Sequence, residues 1–210
     1  TYNITMILVG IGCSFTVGEG VETKDNWLSL LGQSVGCEVL NLAHSGNSNH
    51  GIAQQFAHFV CYERHMYEKI AVVISWTEVD RMSWWDEDSY HWVHSTLIDS
   101  NDSNIYTQSY KEWIMHGQGG EASGNQALTD SAKLFVYSVC KAQNIPLIYF
   151  NALGKHHTYH EYENYYLPDT NTLDYLKNDQ LIPNDGHPNE LGHTDIASRL
   201  YNFINECKIL

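Results

Sequence analysis

The chain has 210 residues, 43% of them hydrophobic and 17% charged, with a formal net charge of −14. This length and composition suit one domain over residues 1–210 with a substantial core, and exclude a disordered chain. The acidic balance argues against a nucleic-acid partner, which would need clustered Lys and Arg, and no apolar run is long enough for a bilayer.

Met6-Ile7-Leu8-Val9 is a short continuous apolar run, the mark of a strand buried on both faces. Asp25 offers a helix cap, and Trp27, Leu28, Leu30, Leu31 and Val35 follow at helical spacing until Gly36 stops them. Glu38 to Leu42 reads as a second strand. A Gly- and Asn-rich turn, Ser45 to Gly51, leads into a helix through about Glu68. Ile70 to Ile74 is a third strand, Leu128 to Gln143 a helix and Pro146 to Phe150 a fourth strand. The last helix, Asn189 to Glu206, carries Leu191, Ile196, Ala197, Leu200, Phe203 and Ile204 on one stripe.

Strands and helices alternate, and the strands lack polar alternation. The expected fold class is therefore α/β: a three-layer α/β/α sandwich on a parallel, flavodoxin-like sheet joined by right-handed crossovers. Two segments, at about 76–124 and 152–182, interrupt the alternation and read as insertions over one rim. The tryptophans of the first, among them Trp84, Trp85, Trp92 and Trp113, either meet a substrate or form a small core under a loop. His156, His157 and His160 of the second read as exposed loop histidines, so no metal and no cofactor are expected.

The five cysteines (Cys13, Cys37, Cys61, Cys140 and Cys207) are odd in number and form no Cys-x-x-Cys pair. They read as reduced thiols. With no signal-peptide pattern at the start, a cytoplasmic location is the default expectation.

In such sheets ligands sit beyond the carboxyl ends of the strands. There the sequence places Gly12-Cys13-Ser14-Phe15-Thr16-Val17-Gly18 after strand one, Ser45-Gly46-Asn47 after strand two and Trp76-Thr77-Glu78 after strand three. Asp185-Gly186-His187-Pro188 lies near the end. Ser, His and Asp are the parts of a nucleophilic hydrolase, assembled by the fold from distant stretches. Gly10-x-Gly12 invites a dinucleotide reading, but Phe15 stands where its third glycine would be.

Gly-x-Ser-x-Thr-x-Gly, then Asn-x-Ala-x-Ser-Gly, an apolar strand and Asp-x-His-Pro-Asn-x-x-Gly-His resemble the SGNH (GDSL-type) hydrolase superfamily, in order along the whole chain. The resemblance implies a metal-independent serine esterase acting on a small-molecule or carbohydrate ester, such as an acetyl ester. Ser14 would be the nucleophile, His187 the base and Asp185 its partner. Backbone N–H groups of Ser14 and Gly46 would form the oxyanion hole, and Trp76 and Glu78 would contact substrate.

Three positions depart from that pattern. Cys13 replaces the Asp that usually precedes the nucleophile, and a buried structural thiol is expected there. The Gly-x-Asn-Asp block is Ser75-Trp76-Thr77-Glu78, without Asn; losing an oxyanion donor costs roughly 10²–10³ in rate. Thr77, Asn47, Asn49 or Arg81 would have to replace it. Asp185 stands two residues before His187, where three is usual, and Asn184 occupies the usual place. His193 is expected to be structural. The alternatives are a binding or structural protein on the same scaffold and an O-acyltransferase using the same triad; oligomeric state is not legible.

Overall fold

Short apolar runs with no polar alternation need cover on both faces, and the chain supplies it with helices between parallel strands. The computed structural model describes residues 6–86, 91–95, 108–109, 112, 123–154, 166–183 and 186–210. Five strands form the main sheet: β1 (Ile7–Ile11), β2 (Glu38–Asn41), β3 (Ile70–Trp76), β6 (Leu147–Asn151) and β7 (Tyr166–Asn171). Their order is β2-β1-β3-β6-β7 and every pairing is parallel. This is the flavodoxin-like doubly wound order, whose switch point lies between β1 and β3. A separate antiparallel hairpin pairs β4 (Met82–Asp86) with β5 (His91–Ser95).

Alternate strand residues feed two cores. On one face Leu8, Ala71, Val73, Ile148 and Phe150 pack with residues of α2 (Trp27–Val35) and with α6 (Glu190–Cys207), the last helix. On the other, Val9, Ile11, Val72, Ile74 and Tyr149 pack with α3 (Asn49–His58) and with α4 (Ser123–Ala142). The short helices α1 (Ser14–Val17) and α5 (Thr172–Asn178) complete the described elements. Among the described residues no helix is long and apolar enough to cross a membrane.

Several boundaries move for local reasons. The cap of α2 is Asn26, whose side chain accepts from Leu28 N, and Asp25 belongs to the 3₁₀ turn before it. The helix expected to reach Glu68 leaves α-geometry at Phe59 for a π-turn and then a 3₁₀ turn. Leu191, placed on the apolar stripe of α6, is 67% exposed, because it lies in the first turn, just after the capping Asn189. Two expected insertions contain regular structure: β4 and β5 lie in the first, and β7 with α5 in the second. The loop histidines His156, His157 and His160, and Trp113, lie outside the described residues.

Candidate active site

Glycine at position 12 follows from crowding. A Cβ there would stand 2.4 Å from Thr16 Oγ1 and 2.9 Å from the Ser75 side chain. The chain can therefore turn sharply out of β1, with Cys13 extended before the four-residue helix α1. Thr16 N and Val17 N donate to Cys13 O, and Gly18 N donates to Ser14 O. The N–H groups of Ser14 and Phe15 come before the first intrahelical donor and point out of the helix start. Ser14 is 6% exposed, and Cys13 is fully buried in the core beside Phe15 and Trp27.

Three side chains fix this small helix from outside. Asn26 Nδ2 and Asn41 Nδ2 both donate to Thr16 O, at 2.8 and 2.7 Å. Trp27 Nε1 donates to Phe15 O at 2.9 Å. Ser14 thus sits on a turn held by the cap of α2 and the end of β2. Of these anchors Asn41 alone belongs to a motif, as the first residue of Asn-x-Ala-x-Ser-Gly, whereas Asn26 and Trp27 are single residues brought near by the fold.

The loop after β2 runs along the same end of the sheet. Leu42 N donates to Gly10 O and His44 N to Gly12 O, at 2.8 and 3.2 Å. Gly46 has φ 72°, a left-handed conformation that favours glycine. Buried Asn47 donates to Gln55 Oε1 at 2.8 Å and to Gly12 O at 3.5 Å. Ser48 caps α3, and Ser83 of the hairpin meets it twice: Ser48 N donates to Ser83 Oγ at 3.2 Å, and the two hydroxyls are 2.8 Å apart.

His187 reaches this rim from the opposite end of the chain. Gly186 (φ 83°) makes the preceding turn, and Asn189 caps α6 by accepting from Gly192 N at 2.9 Å. The imidazole meets the Phe15 ring edge-on, centroids 6.1 Å apart. It is Glu19 rather than Ser14 that lies within hydrogen-bond distance of Nε2, with Oε2 at 2.9 Å. Glu19 is held in turn by the Ser45 hydroxyl, which donates to Oε1. Asp185 and Asn184 lie outside the described residues. The structure thus brings His187 to the Ser14 turn, through a carboxylate that the motifs do not mark.

The expected third oxyanion donors have other partners. Asn49 is buried, and its amide braces Thr77: Thr77 N donates to Oδ1 at 2.8 Å, and Nδ2 donates to Thr77 O at 3.0 Å and to Thr129 Oγ1 at 3.1 Å. Asn49 therefore acts as a brace, not as a free donor. Thr77 is fully buried, and its Oγ1 has no hydrogen-bond partner among the described residues. Its N–H is thus occupied, and its hydroxyl is buried. Arg81 Nε is 3.1 Å from Glu78 Oε2, so that pair is largely self-satisfied.

Trp76 does not line the rim. It continues the alternation of Ile70, Val72 and Ile74 on the α3–α4 face and is 1% exposed. Lys133 Nζ lies 6.0 Å from its ring centroid, and burial lowers the Lys133 pKa to about 8. Glu78, 43% exposed, remains at the surface near Arg81. His193 is buried, with Nδ1 accepting from Trp27 N at 3.2 Å. Burial and the nearby His187 lower its pKa to about 4, so it is neutral at pH 7.

A cavity of about 140 Å³ opens beside the Asn49–Thr129 brace, walled by Val79, Met82 and Leu128. A larger one, about 420 Å³, lies at the start of β6 around Asn144 and Pro146, at the end of the sheet away from Ser14.

No protein-family model matches the sequence, and no curated protein matches it. Solved structures do. The psychrotrophic esterase EstA from Pseudoalteromonas sp. aligns with a TM-score of 0.57 at 15% identity, over 96% of this chain and 97% of that one. The acetyl xylan esterase Est2A from the rumen bacterium Butyrivibrio proteoclasticus gives 0.53 at 13% identity, over 98% of this chain and 64% of its own. AlinE4, an SGNH-hydrolase family esterase, gives 0.52 at 13% identity, over 98% of each. At these identities the likeness is one of architecture, and the chain has the fold of the SGNH esterases.

Proposed function

We propose that the protein is a serine esterase of the SGNH type that removes a short acyl group, such as acetyl, from a carbohydrate or other polar alcohol. The observation that carries this reading is the meeting of His187 with the anchored Ser14 turn, at the carboxyl end of the sheet where doubly wound folds bind ligands. Likeness to an acetyl xylan esterase supports the substrate class.

In this reading Ser14 Oγ attacks the acyl carbon as His187 takes its proton. N–H groups of Ser14 and Gly46 receive the developing oxyanion, and the Thr77 hydroxyl supplies the donor that an Asn gives elsewhere. The protonated imidazole then protonates the leaving alcohol, and water resolves the acyl-enzyme by the same route. The sequence assigns the orienting carboxylate to Asp185.

The test uses a short nitrophenyl ester and a serine-directed fluorophosphonate. Ser14→Ala is expected to lower kcat by roughly 10³-fold or more and to abolish labelling. Cys13→Ala should largely keep both. Turnover that survives Ser14→Ala would sink the mechanism. Transfer to a sugar acceptor instead of water uses the same groups, and product analysis with and without acceptor separates the two. A binding protein on this scaffold is favoured by one feature, Thr77 in place of Asn, and predicts no labelling of the folded wild-type chain.

A further inference from the structure

An oxyanion hole stabilises charge only if its N–H groups are held at a fixed spacing before that charge develops. In the reading above one such group belongs to the Ser14 turn and the other to Gly46, on two separate loops. We propose that Asn41 is the positioning residue that sets the spacing of these two loops. The proposal rests on the serine-esterase reading above.

The Ser14 turn cannot set its own geometry. With four residues, α1 has too few internal hydrogen bonds to be stable alone. It ends at Val17, so the Thr16 carbonyl has no further helical turn to serve it. Asn41, the last residue of β2, donates to that carbonyl from Nδ2 at 2.7 Å. The other half of the same amide faces the second loop, where Ala43 N donates to Asn41 Oδ1 at 3.1 Å. Ala43 stands just before the turn from His44 to Asn47, in which Asn47 N donates to His44 O at 3.3 Å. Gly46 lies inside this turn, with φ 72°. One planar amide therefore touches both loops and fixes the distance between the Thr16 carbonyl and the Ala43 N–H.

The neighbouring contacts act elsewhere. Leu42 N and His44 N donate to Gly10 O and Gly12 O, which holds the second loop on the end of β1, ahead of Ser14. The Ser45 hydroxyl reaches Glu19, beyond the end of α1. Asn26 Nδ2 also donates to Thr16 O, but its Oδ1 accepts from Leu28 N and so joins α1 to α2. Asn26 is 1% exposed, whereas Asn41 is exposed on the terminal strand of the sheet. Loss of the Asn41 side chain therefore leaves α1 anchored through Asn26 and Trp27, and removes the tie between Thr16 and Ala43.

The experiment compares wild type, Asn41→Ala and Asn41→Asp by short-ester kinetics, with kcat expressed per fluorophosphonate-titrated site, and by ¹H–¹⁵N spectra of the backbone amides. Asn41→Ala removes both bonds. Asn41→Asp keeps an acceptor for Ala43 N but has no amide N–H for Thr16 O. Each is expected to lower kcat about 10-fold, less than the roughly 10²–10³ that loss of a whole donor costs, with KM changed by no more than about 2-fold. A lesion of folding alone would lower the number of titrated sites and leave kcat per site intact. In the spectra the amide signals of Ser14 and Gly46 should both move in Asn41→Ala. Should that variant fail to fold, Asn41→Asp, which keeps the contact within the β2 loop, carries the test on the same criteria. The proposal is overturned if kcat per titrated site stays at the wild-type value in either folded variant, or if the Ser14 or the Gly46 signal keeps its position. If wild type hydrolyses no ester and takes no label, the esterase reading falls by itself, and the two amide signals still decide whether Asn41 ties the loops together.

Discussion

His193 is chemically an imidazole like His187, six residues away and opposite in use. It is fully buried and its Nδ1 accepts from Trp27 N, so its proton sits on Nε2. Its pKa falls from 6.5 to about 4, by burial first and the His187 charge second. The unfolded chain thus binds a proton below pH 6.5 that the native chain refuses until about pH 4. The stability that His193 contributes is complete above 6.5 and is lost as pH falls through that window, about 3 kcal/mol in all. Urea unfolding at pH 7.5 and 4.5 checks this: His193→Gln, which can still offer an acceptor to Trp27, should show a smaller acid loss than wild type. Equal losses in the two proteins would refute the assignment.

At the scale of elements, the brace between α3, the β3 end and α4 is held by one amide. Asn49→Ala leaves Thr77 N–H buried without an acceptor, and is expected to cost about 2–3 kcal/mol in urea unfolding. It should also lower kcat more than it raises KM, because Thr77 loses its placement. A change of stability with untouched kcat would remove Thr77 from the oxyanion hole. The elements themselves were unevenly legible. Buried parallel strands announce themselves as apolar runs, so β1, β3 and β6 could be read directly. Tyr166–Asn171 could not, because Pro168, Asp169 and Thr170 read as loop; β7 accommodates the proline where its pairing with β6 is irregular, between Tyr166 and Asn171. The hairpin was hidden by the acids that follow Trp85. The Ser14 and His187 turns were legible because glycine, proline and polar residues cluster there. Glu19 was not, since a lone Glu between two glycines becomes meaningful only when the fold brings His187 to it.

For the whole molecule, sheet order and charge act together. The order β2-β1-β3 sends the connections after β1 and β3 to opposite faces and opens a crevice at their carboxyl ends. Ser14 stands there, in a chain of formal charge −14. A field of that sign repels anionic substrates and is screened by salt. For an anionic nitrophenyl ester kcat/KM should rise from low to physiological ionic strength, whereas for a cationic one it should fall. Identical salt responses for both esters would show that the surface field does not reach the crevice.

Ser83 fastens the hairpin by its foot. Its hydroxyl holds Ser48 at the start of α3 and also donates to Asn47 Oδ1 at 3.4 Å, while the hairpin strands run away from that point. One hydroxyl thus couples the hairpin to the loop that carries Gly46. Ser83→Ala would therefore release two points at once, the first turn of α3 at Ser48 and the Asn47 side chain next to the Gly46 turn.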